Sequence, residues 1–549
     1  MRHPAPAPTA SATATSATSA SARSASAQPA STQPASATPA SATVRSLPPR
    51  VRAGLFAALA LALAGCSASP TPTARAKADA DGNLRYGAIV FTPCALGSGR
   101  VKTVEAQCAS FEVPENHDAP QGRKISLALA LIPAEGQPRP DPVMFIAGGP
   151  GQSILETYPM LHPAFDDLHR DRDILLVDAR GTGGSNLLQC DEVQDVMRES
   201  GEEPSPERML ELGAQCRDRL SKTSDLRYYA TADHIRDLDA VRAAMGIAQL
   251  NLAGVSYGTR VAQQYAKRYP AHTRSVILDA VAPNTLVLGQ DHARNLEDAL
   301  QAQFARCDAK SACLTELGDP RAHLQTLRTR LQAGGLPAVD YRDPVSGAWR
   351  SEAPTWGHLA LLLRLYAYDP GASAMLPLVL KESADGRYQS LLSQARQISS
   401  GLGGSMAMGM SFSVSCTEDT ELKLRPEDAD TVLGTEFIEG MQAQCAQWPK
   451  GERPADFRTP LKGDVPVLLL SGEFDPVTPP RYGEEVVKHL PNGRHLVVRG
   501  QGHGVLAAGC MPKLVAQFLE HTDAKALDTR CLDRLAAVPP FSGLHGWEP

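Results

Sequence analysis

Three residues of this chain have the types, order and surroundings that acyl transfer requires. Ser256 sits in Gly254-Val255-Ser256-Tyr257-Gly258, Asp475 in Ser471-Gly472-Glu473-Phe474-Asp475-Pro476-Val477-Thr478-Pro479, and His503 in Gly500-Gln501-Gly502-His503-Gly504. A serine hydroxyl is a weak nucleophile at neutral pH. It needs a base to take its proton and an acid to hold that base in one tautomer. His503 is the expected base and Asp475 the expected acid, with Glu473 as a competitor two residues nearer the preceding apolar run. A histidine flanked by glycines in a loop is rarely packing material.

These residues must be delivered by particular elements. The run Leu250 to Ala253 precedes Ser256 and a helical pattern from Thr259 to Tyr269 follows it. Strand, sharp turn and helix is the setting of a nucleophile elbow, in which flanking glycines leave room for the turn and the helix N-terminus faces developing negative charge. The run Val465 to Leu470 precedes Asp475, and Leu496 to Val498 precedes His503. Further short apolar runs lie at Pro142 to Ile146, Asp173 to Asp178 and Ser275 to Leu278, with longer strand patterns at Ala106 to Val113 and Lys124 to Ile132. A helical pattern covers Ala232 to Met245. Strands alternating with helices predict a mostly parallel, doubly wound α/β sheet. The alternation stops between residues 284 and 412, where amphipathic helices such as Ala293 to Ala305 and His323 to Leu331 dominate. A stretch of that length is no loop, so it reads as a helical cap inserted into the sheet domain.

An oxyanion also needs donors. The backbone N–H of Tyr257, directly after the nucleophile, is one candidate. The second is expected from the glycine loop Ala147-Gly148-Gly149-Pro150-Gly151-Gln152-Ser153, with Gly149 as the donor. Neither Gly-x-x-x-x-Gly-Lys nor Gly-x-Gly-x-x-Gly occurs there, which argues against phosphate binding. The chemistry calls for no metal and no organic cofactor.

The 549 residues carry a formal charge of −6 with 43% hydrophobic and 21% charged side chains, a globular composition. The charge is uneven. Residues 1 to 65 hold five arginines and no acid, so the remainder balances 49 basic against 60 acidic side chains, or −11. A body this acidic is a poor partner for nucleic acid. Residues 1 to 43 are nearly all Ala, Ser, Thr and Pro, a low-complexity leader with nothing to bury and a candidate for not being translated. Residues 44 to 65 have a basic start and an apolar run of about a dozen residues, too short to span a bilayer. They read as a signal peptide. Leu63-Ala64-Gly65-Cys66 resembles a bacterial lipoprotein lipobox, which predicts lipidation of Cys66, a flexible linker over 66 to 85, and an anchored periplasmic protein. Ser67 after that cysteine points to the outer membrane. Ten cysteines remain, in sequential pairs: Cys94 and Cys108, Cys190 and Cys216, Cys307 and Cys313, Cys416 and Cys445, Cys510 and Cys531. In an exported chain these predict disulfides, and pairing neighbours closes the shortest loops.

Taken together, Gly-Gly-Pro-Gly-Gln-Ser, Asp178-Ala179-Arg180-Gly181-Thr182-Gly183-Gly184-Ser185, the segment around Ser256, Asp475 and His503 resemble the prolyl aminopeptidase and tripeptidyl aminopeptidase family of α/β hydrolases. The resemblance implies a serine exopeptidase that takes peptide substrates, with core segments at 86 to 283 and 413 to 540 around the cap at 284 to 412. It also implies acids near the return from cap to sheet that bind a substrate's amino terminus. Glu418 is the first candidate for that role and Asp419 the second. One departure is Ala147, where family members often have histidine before the glycine run. The triad alone leaves open an esterase or lipase, and a binding protein on the same fold is the alternative outside enzymology.

Overall fold

The computed structural model describes residues 78–97, 102–200, 205–309, 311–402 and 406–547. The leader, the signal segment and Cys66 lie outside them. A ten-stranded sheet runs in the order β1-β2-β3-β4-β6-β5-β7-β8-β11-β12. Its strands are β1 Leu84–Tyr86, β2 Ile89–Leu96, β3 Val104–Pro114, β4 Lys124–Ile132, β5 Val143–Ile146, β6 Ile174–Val177, β7 Leu250–Val255, β8 Thr273–Asp279, β11 Val467–Gly472 and β12 Gly493–Val498. From β6 through β12 every neighbouring pair is parallel, while β1 to β4 and the β4–β6 junction are antiparallel.

The apolar runs fold this way because both faces of the parallel region are covered. Along β11, Val467 and Leu469 enter one core cluster while Leu468 and Leu470 enter the other. Leu250 and Leu252 of β7, and Val276 and Leu278 of β8, point to the first; Ala253 and Ile277 point to the second. The β3–β4 hairpin is longer, with eight paired positions from Gln107↔Leu131 to Pro114↔Lys124. β1 begins at Leu84, two residues before position 86, where the sequence reading starts the folded body.

Between β8 and β11 the chain leaves the sheet. Helices α4 His292–Asp308, α5 Pro320–Gln332 and α6 Trp356–Tyr366 build a third core cluster around Leu300, Leu327, Leu359 and Leu392. The stretch also contains a hairpin of β9 Val339–Arg342 and β10 Trp349–Glu352, whose polar residues gave no strand pattern. Position 412 falls inside helix α9 Met408–Glu418: Met410, Phe412 and Val414 pack into the sheet's core, whereas Val432 belongs to the cluster of the insert.

All ten described cysteines are paired as neighbours in sequence. Cys416–Cys445 ties α9 to the following helix, and Cys510–Cys531 closes the segment after β12. No helix among the described residues is long and apolar enough to cross a membrane.

Candidate active site

Ser256 lies between β7 and helix α3 Tyr257–Arg268, at the helix N-cap, with a positive φ of 55° and ψ −125°. A non-glycine residue held there is strained, as the turn of a nucleophile elbow demands. The flanking glycines are needed for space. A Cβ on Gly254 would come within 2.3 Å of the Gly258 carbonyl oxygen, and one on Gly258 within 2.4 Å of the Ile146 carbonyl oxygen.

Asp475 follows β11 and His503 follows β12, so the parallel register brings their loops to one edge of the sheet. His503 Nδ1 donates to the Asp475 carboxylate at 2.9 and 3.0 Å. This leaves Nε2 as the proton acceptor. Asp475 also accepts the backbone N–H groups of Val477 and Thr478 and the Thr478 hydroxyl, each at 2.8 Å. Burial drives its carboxyl upward. The charge and hydrogen bond of His503, with those N–H groups, outweigh burial and hold the pKa below the ordinary value. For His503, burial favours the neutral ring, but the charge and hydrogen bond of Asp475, helped by Asp279, leave its pKa raised. Among the described residues no hydrogen bond joins Ser256 Oγ to His503. The acid–base pair is closed, and the nucleophile contact is not. Catalytic hydrogen bonds are often loose until substrate is bound.

Glu473, the competing acid, accepts the Gly500 N–H at 2.8 Å and so braces the glycine turn before His503. Tyr257 opens α3, where first-turn N–H groups have no intrahelical acceptor. The loop carrying Gly149 crosses the nucleophile closely: a Cβ on Gly148 would meet Ser256 Cβ at 3.0 Å. That loop is fastened by Asp178, which accepts the Ser153 hydroxyl at 2.8 Å and the N–H groups of Leu155 and Gly184 at 3.1 Å. Arg180 of the same motif is buried. It donates to Asp237 at 2.6 and 2.7 Å and to the carbonyls of Glu115 and Tyr228 at 2.7 and 2.6 Å. The Asp-Ala-Arg-Gly motif is therefore scaffolding beneath the site.

Glu418 and Asp419 lie behind α3, each 1% exposed. Asp419 is saturated by Arg260 at 3.1 Å, Arg458 at 2.9 Å and the Leu288 N–H at 2.8 Å. Glu418 accepts the Thr231 N–H at 2.6 Å, while its second oxygen has no hydrogen bond and lies 3.6 Å from Arg260. Burial raises its pKa to about 7 against the pull of Arg260, with Asp419 adding to the rise. The protein encloses both acids, giving Asp419 a full set of internal partners and leaving Glu418 one oxygen without a hydrogen bond.

Two neighbours of the site gave no sequence signal. Asp279, at the end of β8, accepts the N–H groups of Val505 at 2.9 Å and Leu506 at 2.8 Å, and so anchors the turn just after His503. Burial raises its pKa to about 6. Tyr368, at the end of the insert's α6, accepts the His503 backbone N–H at 2.9 Å and packs its ring edge-on against the imidazole at 4.9 Å. Among the described residues no cluster of side chains could hold a metal.

Residues 430–531, which carry Asp475 and His503, match the family model described as TAP-like protein. Over 479 residues the chain is 27% identical to serine protease Hip1 of Mycobacterium tuberculosis, covering 78% of this chain and 88% of that one. It is 26% identical over 468 residues to the tripeptidyl aminopeptidase of Streptomyces coelicolor, covering 79% and 84%. The chain is an α/β hydrolase related to the tripeptidyl aminopeptidases. The alignment to these relatives runs through most of their length and thus takes in the insert as well as the sheet. A solved proline iminopeptidase from Mycobacterium smegmatis is also similar, at 17% identity and a TM-score of 0.37, over 76% of this chain and all of that one.

Proposed function

We propose that this hydrolase is an exported aminopeptidase that releases short amino-terminal units from peptides through an acyl-enzyme on Ser256. The observation that carries the proposal is the strained Ser256 after β7, at the same edge of the sheet as an imidazole whose Nδ1 is committed to Asp475. Ser256 Oγ attacks the scissile carbonyl carbon as His503 Nε2 takes the hydroxyl proton. The N–H groups of Tyr257 and Gly149 receive the oxyanion, worth several kcal/mol in such sites. Collapse breaks the C–N bond, and His503 gives its proton to the leaving amine. Water, deprotonated by His503, then releases the acyl unit and regenerates Ser256. The relatives' activities and the insert over the site support a peptide substrate.

Export is supported by five disulfides, which persist in oxidising compartments. An anchor on a lipidated Cys66 completes the proposal. Amino-terminal proline, alanine and tripeptide chromogenic amides, assayed beside short p-nitrophenyl esters, test the activity. Amide cleavage that is lost in Ser256→Ala is the expected result; ester turnover with no amide cleavage would sink the peptidase assignment.

A further inference from the structure

The loops that carry Asp475 and His503 lie beyond the ends of β11 and β12, where the ladder no longer holds them. They are bonded to each other instead. Phe474, one residue before the acid, donates its N–H to the Gln501 carbonyl at 2.9 Å, and Glu473 accepts the Gly500 N–H. Tyr368 of the insert grips the pair through the His503 N–H. A second grip comes from the segment that follows the last disulfide.

After Cys531 the chain packs against the glycine turn that precedes His503. A Cβ on Gly500 would lie 2.4 Å from both Cα and Cβ of Ala537, and one on Gly509 would lie 2.5 Å from Leu535 Cδ2. Residues 535 to 537 therefore touch the chain on both sides of the base. The same segment then reaches the insert. The Phe541 N–H donates to the Ala374 carbonyl at 2.8 Å, and the Val538 carbonyl accepts from the guanidinium of Arg306 on α4.

Arg306 also reaches the loop of the acid. Its guanidinium lies over the Phe474 ring at 5.3 Å and donates to Gln303 Oε1 at 2.8 Å, so both of its hydrogen-bond acceptors are neutral. Burial lowers its pKa, and the charge of Glu473, the residue bonded to Gly500, opposes that fall. A half-buried guanidinium with neutral acceptors and one ring face recovers only part of its desolvation cost, but its planar donors fix several segments at once. Those segments are the insert, residues 535 to 541, and the loop before Asp475. We infer that Arg306 is a positioning residue for the acid–base pair: it clamps residues 535 to 541 onto the Gly500 turn and, through the Phe474 ring, keeps Asp475 in register with His503. This rests on the triad of the reading above and not on its peptide substrate. Such a clamp matters because a misplacement of about 1 Å far from the reacting atoms can cost as much as about 10²-fold in rate.

The test reads the base directly. A fluorophosphonate labels Ser256 when Oγ bonds to phosphorus, fluoride leaves and His503 takes the hydroxyl proton, so the labelling rate rises with pH as His503 becomes neutral. In Arg306→Met, labelling and kcat on the best substrate of the amide and ester panel should fall about tenfold, with KM within about twofold. The acidic limb of the labelling profile should move to lower pH, because a looser Asp475 contact raises the His503 pKa less. Arg306→Lys keeps a cation over Phe474 and a donor for Val538, and should recover most of the rate. Replacing residues 536 to 541 by a Gly-Ser segment of equal length should give the same loss and the same shift. Combined with Arg306→Met it should fall no more than about twofold further, since both changes release one clamp. An unchanged rate in Arg306→Met, a loss with an unshifted limb, or losses that multiply in the combined variant would each overturn the inference. Should Arg306→Met fail to fold, the Gly-Ser variant decides by the same rate and limb. Wild-type enzyme that the probe does not label at Ser256 refutes the triad and the clamp with it. Ester turnover without amide cleavage, with labelling intact, refutes the peptidase assignment alone.

Discussion

Replacing Glu418 by glutamine separates two jobs that a carboxylate at this position could do. In the fold it is 1% exposed, with one oxygen on the Thr231 N–H and the other unbonded, and its pKa is raised to about 7 from 4.5. A raised carboxylate pKa means that the folded state holds its proton more tightly than the unfolded chain. The associated stability is complete below about pH 4.5 and is lost as pH rises through about 7. A difference of about 2.5 pH units corresponds to about 3 kcal/mol. Glutamine keeps the acceptor for Thr231 and has no charge to desolvate. Glu418→Gln should therefore exceed wild type by less than about 1 kcal/mol at pH 5 and by about 3 kcal/mol at pH 8. Urea unfolding with disulfides intact, followed by tryptophan fluorescence from pH 5 to 8, reads this directly. KM for substrates with a free amino terminus should be unchanged. A stability difference that is constant across the pH range would refute the burial argument. A tenfold rise in KM for free-amine substrates, with none for amino-acetylated ones, would show that Glu418 meets the substrate after all.

Two further predictions concern the base. Asp475→Asn removes the group that raises the His503 pKa and fixes its tautomer, so kcat should fall by about 10³ to 10⁴ and the acidic limb of the pH–rate profile should move to lower pH; an unshifted limb would contradict the pairing. Asp279→Asn removes a charge that raises the same pKa and weakens the grip on the Val505 and Leu506 N–H groups. We expect about a tenfold loss in kcat with little change in KM, from a hydrogen-bond loss of about 1–2 kcal/mol, and a smaller shift of that limb in the same direction. An unaltered kcat would leave Asp279 a purely structural residue.

The candidate site was legible because each residue of the proposed triad is marked locally. Ser256, Asp475 and His503 each follow an apolar run, and turn residues surround them. Disulfide partners were legible because neighbours in sequence are neighbours in space. What escaped depends on long-range packing. Asp279 is indistinguishable from any aspartate at a strand's end until the segment after β12 places the Val505 N–H against it, 226 residues on. Glu418 and Asp419 read in sequence as candidates for binding a substrate's amino terminus, and only the fold supplies Arg260, 159 residues earlier, and buries all three. The β9–β10 hairpin was missed because its exposed, polar strands carry no alternating apolar signal.

The insert between β8 and β11 also has a consequence in biosynthesis. Ser256 leaves the ribosome more than two hundred residues before Asp475 and His503, so a growing or prematurely ended chain has a nucleophile with no base. Even the full-length chain has no competent site until β11 and β12 dock onto β8 and the Tyr368 carbonyl engages His503. Chains of this hydrolase that end before β12 should therefore be inert, with activity appearing only once the last strand has docked.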